Sequence, residues 1–406
     1  MAFPGTLTLR LLLAASLFAP AVPVFSGAPA LPLKPKKWTV IVYINGKSNL
    51  EGNSFDRINN LECAGSDSNV NIVAEYSRLH SAGDGFTRDG DWGGSRRYYI
   101  TRDADSGHIA SPVLQQNDSV DSGDWRHVAD FIKWAKTNFP AERYILLYRF
   151  HGGGWIDPSR NKAMNYDNET RTFTSTAEMA RIFQEAGPVD LYLSDVCMMQ
   201  SLEVLYGIKD YVKVAVGAEN LSYGFNYYAS LSLIKARPAV TIEAVAKKFI
   251  ADYAAQPGLN GLDYQLSAVN TSALGDMATE LGRWSAAVMR ADDKAAVLAA
   301  KRGVARSEQP QYADLKLFAQ ILAARLDMRR PGAAELIAET RALLEVLNNR
   351  LLLDNAGGGA VGAGLGGVTV YVPPVDMDGY VAQHSALEFA NSSGWTKFAL
   401  YLNRIN

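Results

Sequence analysis

Tyr144-Ile-Leu-Leu-Tyr-Arg-Phe-His151-Gly-Gly-Gly-Trp155 is a mostly apolar stretch that ends in a histidine and three glycines. Val189-Asp-Leu-Tyr-Leu-Ser-Asp195-Val-Cys197-Met-Met follows the same plan and ends in a cysteine two places after an aspartate. Short, nearly continuous apolar runs of this kind suit strands buried on both faces of a sheet. Ligands of open α/β sheets bind beyond the carboxyl ends of the strands. A thiol and an imidazole at two such ends point to nucleophilic catalysis.

Working outward, Lys37-Trp-Thr-Val-Ile-Val-Tyr-Ile-Asn45, Val70-Asn-Ile-Val-Ala-Glu-Tyr76 and Val212-Lys-Val-Ala-Val-Gly-Ala218 read as further strands, and Arg96 to Thr101 as a hairpin arm. Between them lie helical patterns. Asp124 caps one that runs to about Asn138, and Ser175-Thr-Ala-Glu178 is a capping box whose helix Gly187-Pro188 stops. Strand, helix, strand in this rhythm predicts an α/β fold, with a mostly parallel sheet and helices on both faces. Beyond Leu233 the composition turns to Ala-rich amphipathic helices. The expected division is therefore a first unit over 31–235 and a helical C-terminal region over 236–406, closed by a strand at Val368-Thr-Val-Tyr-Val372. Asp157 to Thr174 reads as an exposed loop, and the Gly-rich run from Asp354 to Gly367 as flexible.

The chain has 406 residues, 48% apolar and 20% charged, with a net charge of −2. A balance so near neutrality, without a basic stripe, argues against nucleic acid as the partner. Arg10, the run Leu11–Ala19 and the small-residue site Ala28-Pro-Ala30 have the layout of a signal peptide over 1–30, cut after Ala30. That run is too short to span a bilayer, which takes about 20 apolar residues. Export is expected, and no membrane association once the segment is removed. The two cysteines are Cys63 and Cys197. A disulfide is the ordinary inference for an exported chain but would silence Cys197; Cys63 reads more simply as a buried small hydrophobe.

The glycines after His151 let backbone N–H groups approach a substrate carbonyl, and such a donor to a developing oxyanion is worth about 3 kcal/mol. His-Gly-Gly-Gly is also an oxyanion motif of serine esterases, but the Gly-x-Ser-x-Gly elbow they need is missing from the sequence. Asp195 and Cys197 share a strand face about 7 Å apart. A carboxylate there raises a thiol pKa rather than lowering it, so recognition of a basic side chain suits Asp195 better than activation.

The two blocks resemble the clostripain family of cysteine endopeptidases, which is related to caspases, gingipains and legumains. The family's strand followed by His-Gly, a small residue and Gly-Trp matches Tyr144 to Trp155. Its strand, Asp, any residue, Cys matches Val189 to Cys197, with Glu203 at the acidic position that follows. Val214-Ala-Val-Gly-Ala-Glu219, Gly366-Gly-Val-Thr-Val-Tyr-Val-Pro373 and Trp395-Thr-Lys-Phe-Ala-Leu resemble later parts of the family pattern.

The resemblance implies a caspase-like sheet, His151 as catalytic base and Cys197 as nucleophile. It implies oxyanion donors at Gly152 and Cys197, and substrate binding by Asp195 and Glu219. Cleavage after Arg, or Lys, in protein or peptide substrates follows from Asp195 in that role. It further implies self-cleavage between the blocks, where Arg160, Lys162 and Arg171 lie. No cofactor is expected; some members need calcium, for which no loop signature is present here. After Glu219 the segment Asn-Leu-Ser-Tyr-Gly-Phe-Asn-Tyr-Tyr departs from the family's Gly-Asp-Gly-Trp-like turn. Two other classes remain open, a catalytically silent binding protein on the same fold and, less favoured, the esterase.

Overall fold

The computed structural model describes residues 1, 34–80, 87–156, 164–374 and 380–405. The expected signal peptide therefore lies almost wholly outside the described residues, as do Arg160 and Lys162. No helix among the described residues is long and apolar enough to cross a membrane.

The chain forms strands β1 (Lys36–Asn45), β2 (Val70–Arg78), β3 (Gly94–Tyr99), β4 (Val113–Asn117), β5 (Ala141–Arg149), β6 (Val189–Asp195), β7 (Val212–Gly217), β8 (Tyr264–Asn270), β9 (Tyr312–Asp314), β10 (Leu352–Gly358) and β11 (Thr369–Tyr371). Nine of them make one sheet in the order β10-β8-β7-β6-β5-β1-β2-β3-β4, while β9 and β11 pair separately. The middle of the sheet, β2-β1-β5-β6-β7, is parallel. Antiparallel strands flank it on both sides. Its central strands carry Val, Ile, Leu and Tyr at successive positions because both faces are covered. Ile41, Tyr43, Leu146 and Tyr148 face one apolar core, Val40, Val42, Ile145 and Leu147 the other.

Local signals hold at the helix ends. Asp124 accepts the Arg126 N–H at the head of Trp125–Asn138, and Ser175 and Glu178 form the reciprocal box that opens Thr176–Ala186. Each such cap is worth about 1 kcal/mol. Gly187 ends the second helix at φ 78°, a conformation that costs glycine nothing.

Other expectations are corrected. Residue 235 is not a seam, because β8 and β10, both beyond it, complete the main sheet. The Gly-rich run is not a tether: Leu352–Gly358 pairs with β8 through backbone groups that glycine supplies as well as any residue. Residues 164–174 are a loop, exposed at 168–171 and at 173 but anchored by buried side chains. Met164, Asn165, Asp167 and Thr174 are buried, since Asp167 pairs with buried Lys47 at 3.4 Å and the Asn45 amide donates to Asn165. Cys63 is half-buried rather than buried, and neither cysteine is in a disulfide.

Candidate active site

Parallel register brings the two blocks together. Arg149 on β5 is paired with Asp195 on β6. His151 and Cys197 each lie two residues further along neighbouring strands, whose axes run about 4.8 Å apart. Both line one cleft of about 560 Å³, with Ser48, Asn49, Gly152, Tyr166, Asn168, Met198, Leu221 and Glu308. The strand order β7-β6-β5-β1 sets out the site in sequence: the 218–226 loop, then Cys197, then His151, then Asn49.

Glycine is required beside the dyad. A Cβ at Gly152 would stand 2.2 Å from Val196 Cγ1 and 3.0 Å from the Cys197 carbonyl oxygen. At Gly154, φ is 69° and a Cβ would meet the Tyr312 hydroxyl at 2.5 Å. That hydroxyl donates to the Gly153 carbonyl at 2.6 Å and accepts from the Ile156 N–H at 2.8 Å, so a residue of the C-terminal region fixes the glycine turn. Beyond the thiol the chain reverses sharply. Met198 holds φ at 59°, uncommon for a side chain of its size, and its N–H donates to the Asn220 carbonyl at 2.8 Å.

The imidazole is oriented by a residue that pattern reading missed. His151 Nε2 lies 2.7 Å from Asn49 Oδ1, in the turn after β1. A carboxyl-edge turn next to the histidine strand was the available signal, since β1 and β5 are neighbours. The Cys197 sulfur is half-buried and accepts the Ser222 N–H at 3.4 Å. Burial pushes its thiol above the usual value; the Ser222 N–H and the Arg149 guanidinium pull it back, while Asp195 and Glu308 push it further up.

Asp195 does not face the cleft. It is fully buried, and each carboxylate oxygen has two donors. Arg149 Nη1 at 3.2 Å and Ser222 Oγ at 2.8 Å reach Oδ1, while the Tyr227 hydroxyl at 2.6 Å and the Phe225 N–H at 3.4 Å reach Oδ2. Four donors fill the four lone-pair sites of a carboxylate. The segment after Glu219 supplies three of them, from Ser222, Phe225 and Tyr227. Glu219 is likewise buried behind the cleft, where it accepts the Gly367 N–H at 2.5 Å and lies against Asp314, and burial raises both carboxyls above their ordinary range. Glu203 accepts the Tyr371 N–H at 2.8 Å and faces buried His384 at 3.3 Å. Arg171 is exposed, at φ 60° in a turn closed by its N–H on the Asp167 carbonyl at 2.8 Å.

A parallel sheet that carries thiol and imidazole on adjacent carboxyl ends defines a protein of the cysteine-peptidase class. The clostripain family model matches residues 42–336, and the chain belongs to that family. It is 27% identical over 189 residues to the clostripain of Hathewaya histolytica, an alignment that spans only 36% of that protein's length. Its fold is similar to that of a secreted C11 cysteine protease from Bacteroides thetaiotaomicron in complex with an irreversible peptide inhibitor, with TM-score 0.67, 15% identity, and 89% of this chain and 99% of that one covered. An inactive zymogen C11 protease from Parabacteroides distasonis is similar at TM-score 0.65 and 16% identity, with the same coverage.

Proposed function

We propose that the chain is an exported cysteine endopeptidase that cleaves after basic residues. The observation that carries the reading is the shared register of His151 and Cys197 in one cleft, with Asn49 on the imidazole. With Nε2–H donated to Asn49, Nδ1 is the basic nitrogen. It takes the Cys197 proton as sulfur attacks the substrate carbonyl, and the N–H groups of Gly152 and Cys197 face the developing oxyanion. The proton passes to the departing amine as the C–N bond breaks, and water then hydrolyses the thioester. A thiol raised by burial fits this order, in which deprotonation accompanies attack.

Self-cleavage belongs to the same reading. Arg171 is held in a bonded turn, which disfavours it as the cut site and leaves Arg160 and Lys162 as the candidates. Export follows from the sequence of residues 1–30, and the reaction as written uses no cofactor. The test is mass spectrometry and casein digestion. Wild type should yield two fragments cut between Trp155 and Met164 and digest casein, and Cys197→Ala should do neither. An intact, inert wild type would instead support the silent binding protein.

A further inference from the structure

His151 is oriented by Asn49, and Asn49 is itself exposed. Its place on the imidazole therefore depends on the turn that carries it. Within that turn the Ser48 N–H donates to the Gly46 carbonyl at 2.6 Å, and the Leu50 N–H to Ser48 Oγ at 3.2 Å. Lys47 lies inside the same turn. Its backbone N–H donates to Asn45 Oδ1 at 2.9 Å, and its carbonyl accepts the Asn168 N–H at 3.0 Å.

The Lys47 side chain is buried, with 1% exposure. Its ammonium donates to the Val120 carbonyl at 2.6 Å and to Glu169 Oε2 at 2.7 Å, and pairs with Asp167 Oδ2 at 3.4 Å. Three oxygens match the three donors of an ammonium. The carboxylates are themselves held. The Ser122 N–H donates to Asp167 Oδ2 at 3.0 Å, the Glu169 N–H to Asp167 Oδ1 at 2.8 Å, and the His80 N–H to Glu169 Oε1 at 2.6 Å. The Asn45 amide completes the join, donating to Asn165 Oδ1 at 3.1 Å and to the Tyr166 carbonyl at 3.2 Å. Two segments that line the cleft are thus tied together, one through Ser48 and Asn49, the other through Tyr166 and Asn168. Without the ammonium, buried Asp167 and the Glu169 side chain, 26% exposed, would be left facing each other as like charges, which drives the segments apart.

We propose that Lys47 is a positioning residue for the reaction: its ammonium clamps the turn at 46–50 to the segment 164–174 and so keeps Asn49 on the His151 imidazole. The assignment rests on the endopeptidase reading, in which His151 is the base. A residue that acts only through another has no further effect once the other is gone. One that merely stabilises the fold costs the same in either background.

The experiment is a double-mutant cycle of Lys47→Met and Asn49→Ala in the full-length protein, read by steady-state kinetics on one peptide. Casein digestion by wild type, lost in Cys197→Ala, tests the endopeptidase reading separately. Lys47→Met alone should lower kcat about tenfold with little change in KM, and by less than about twofold when residue 49 is already alanine. Should Lys47→Met fold poorly, adding Glu169→Gln removes one of the two carboxylates left facing each other, and the same comparison is made in that background. Nitrogen NMR of the histidine rings in Cys197→Ala needs no turnover: there Lys47→Met should move the His151 signals in the same direction as Asn49→Ala does. Equal losses of kcat with and without Asn49 would overturn the assignment, and so would His151 signals that Lys47→Met leaves in place.

Discussion

At the scale of single residues, the site depends on groups that hold other groups. Asn49 touches the imidazole at Nε2, and in the proposed mechanism this leaves Nδ1 as the base. Asn49→Ala is expected to lower kcat by about 10- to 100-fold with little change in KM, within the range of general-base effects; steady-state kinetics on one peptide decides it, and an unchanged kcat would remove Asn49 from the mechanism. Arg149→Met leaves Asp195 as a buried, uncompensated anion and should cost about 3–5 kcal/mol, read as a drop in the urea midpoint. Adding Asp195→Asn should recover much of that loss. His151, Cys197 and the close glycines were legible in the sequence because their chemistry is local to a motif. The saturation of Asp195 was not, because its partners Arg149, Ser222, Phe225 and Tyr227 meet it only through the fold.

At the scale of elements, the turn after β5 and the reversal after β6 are fitted to each other atom by atom. Gly152→Ala puts a methyl group where Val196 already lies, so the ends of β5 and β6 must separate. A loss of at least 100-fold in kcat is expected with the melting temperature lowered by only a few degrees; activity near wild type would show that the approach of the strands is not needed. Tyr312→Phe removes one donor to Gly153 and one acceptor for Ile156, a change of about 1–2 kcal/mol in stability. The parallel strands and the capped helices were readable because burial on both faces and cap chemistry leave marks in side chains. Strand β10 left none: Leu-Leu-Asp-Asn-Ala-Gly-Gly is a poor strand former, and its pairing is carried by the backbone at an edge.

At the scale of the whole molecule, the pair Glu219–Asp314 joins the segment that follows β7 to the end of β9. Burial raises both carboxyls above their ordinary range, and at Glu219 the nearby charge of Asp314 adds to this. The folded protein therefore keeps a proton that the unfolded chain releases. The stability this contributes is complete below the ordinary carboxylate range and is lost as pH rises toward the raised values. Wild type should lose melting temperature from mildly acidic toward neutral pH, and Glu219→Gln, which keeps a donor for Asp314 at all pH values, should flatten that slope. Parallel slopes in the two proteins would place the retained proton elsewhere.

The order of synthesis gives Tyr312 a further meaning. Both signature blocks leave the ribosome well before the hydroxyl that pins the glycine turn, and before the β10 strand that finishes the sheet. A half-made chain thus holds every reacting atom and lacks the frame that sets them. The glycine turn beside His151 therefore cannot gain its Tyr312 bond until the chain has been made at least as far as residue 312.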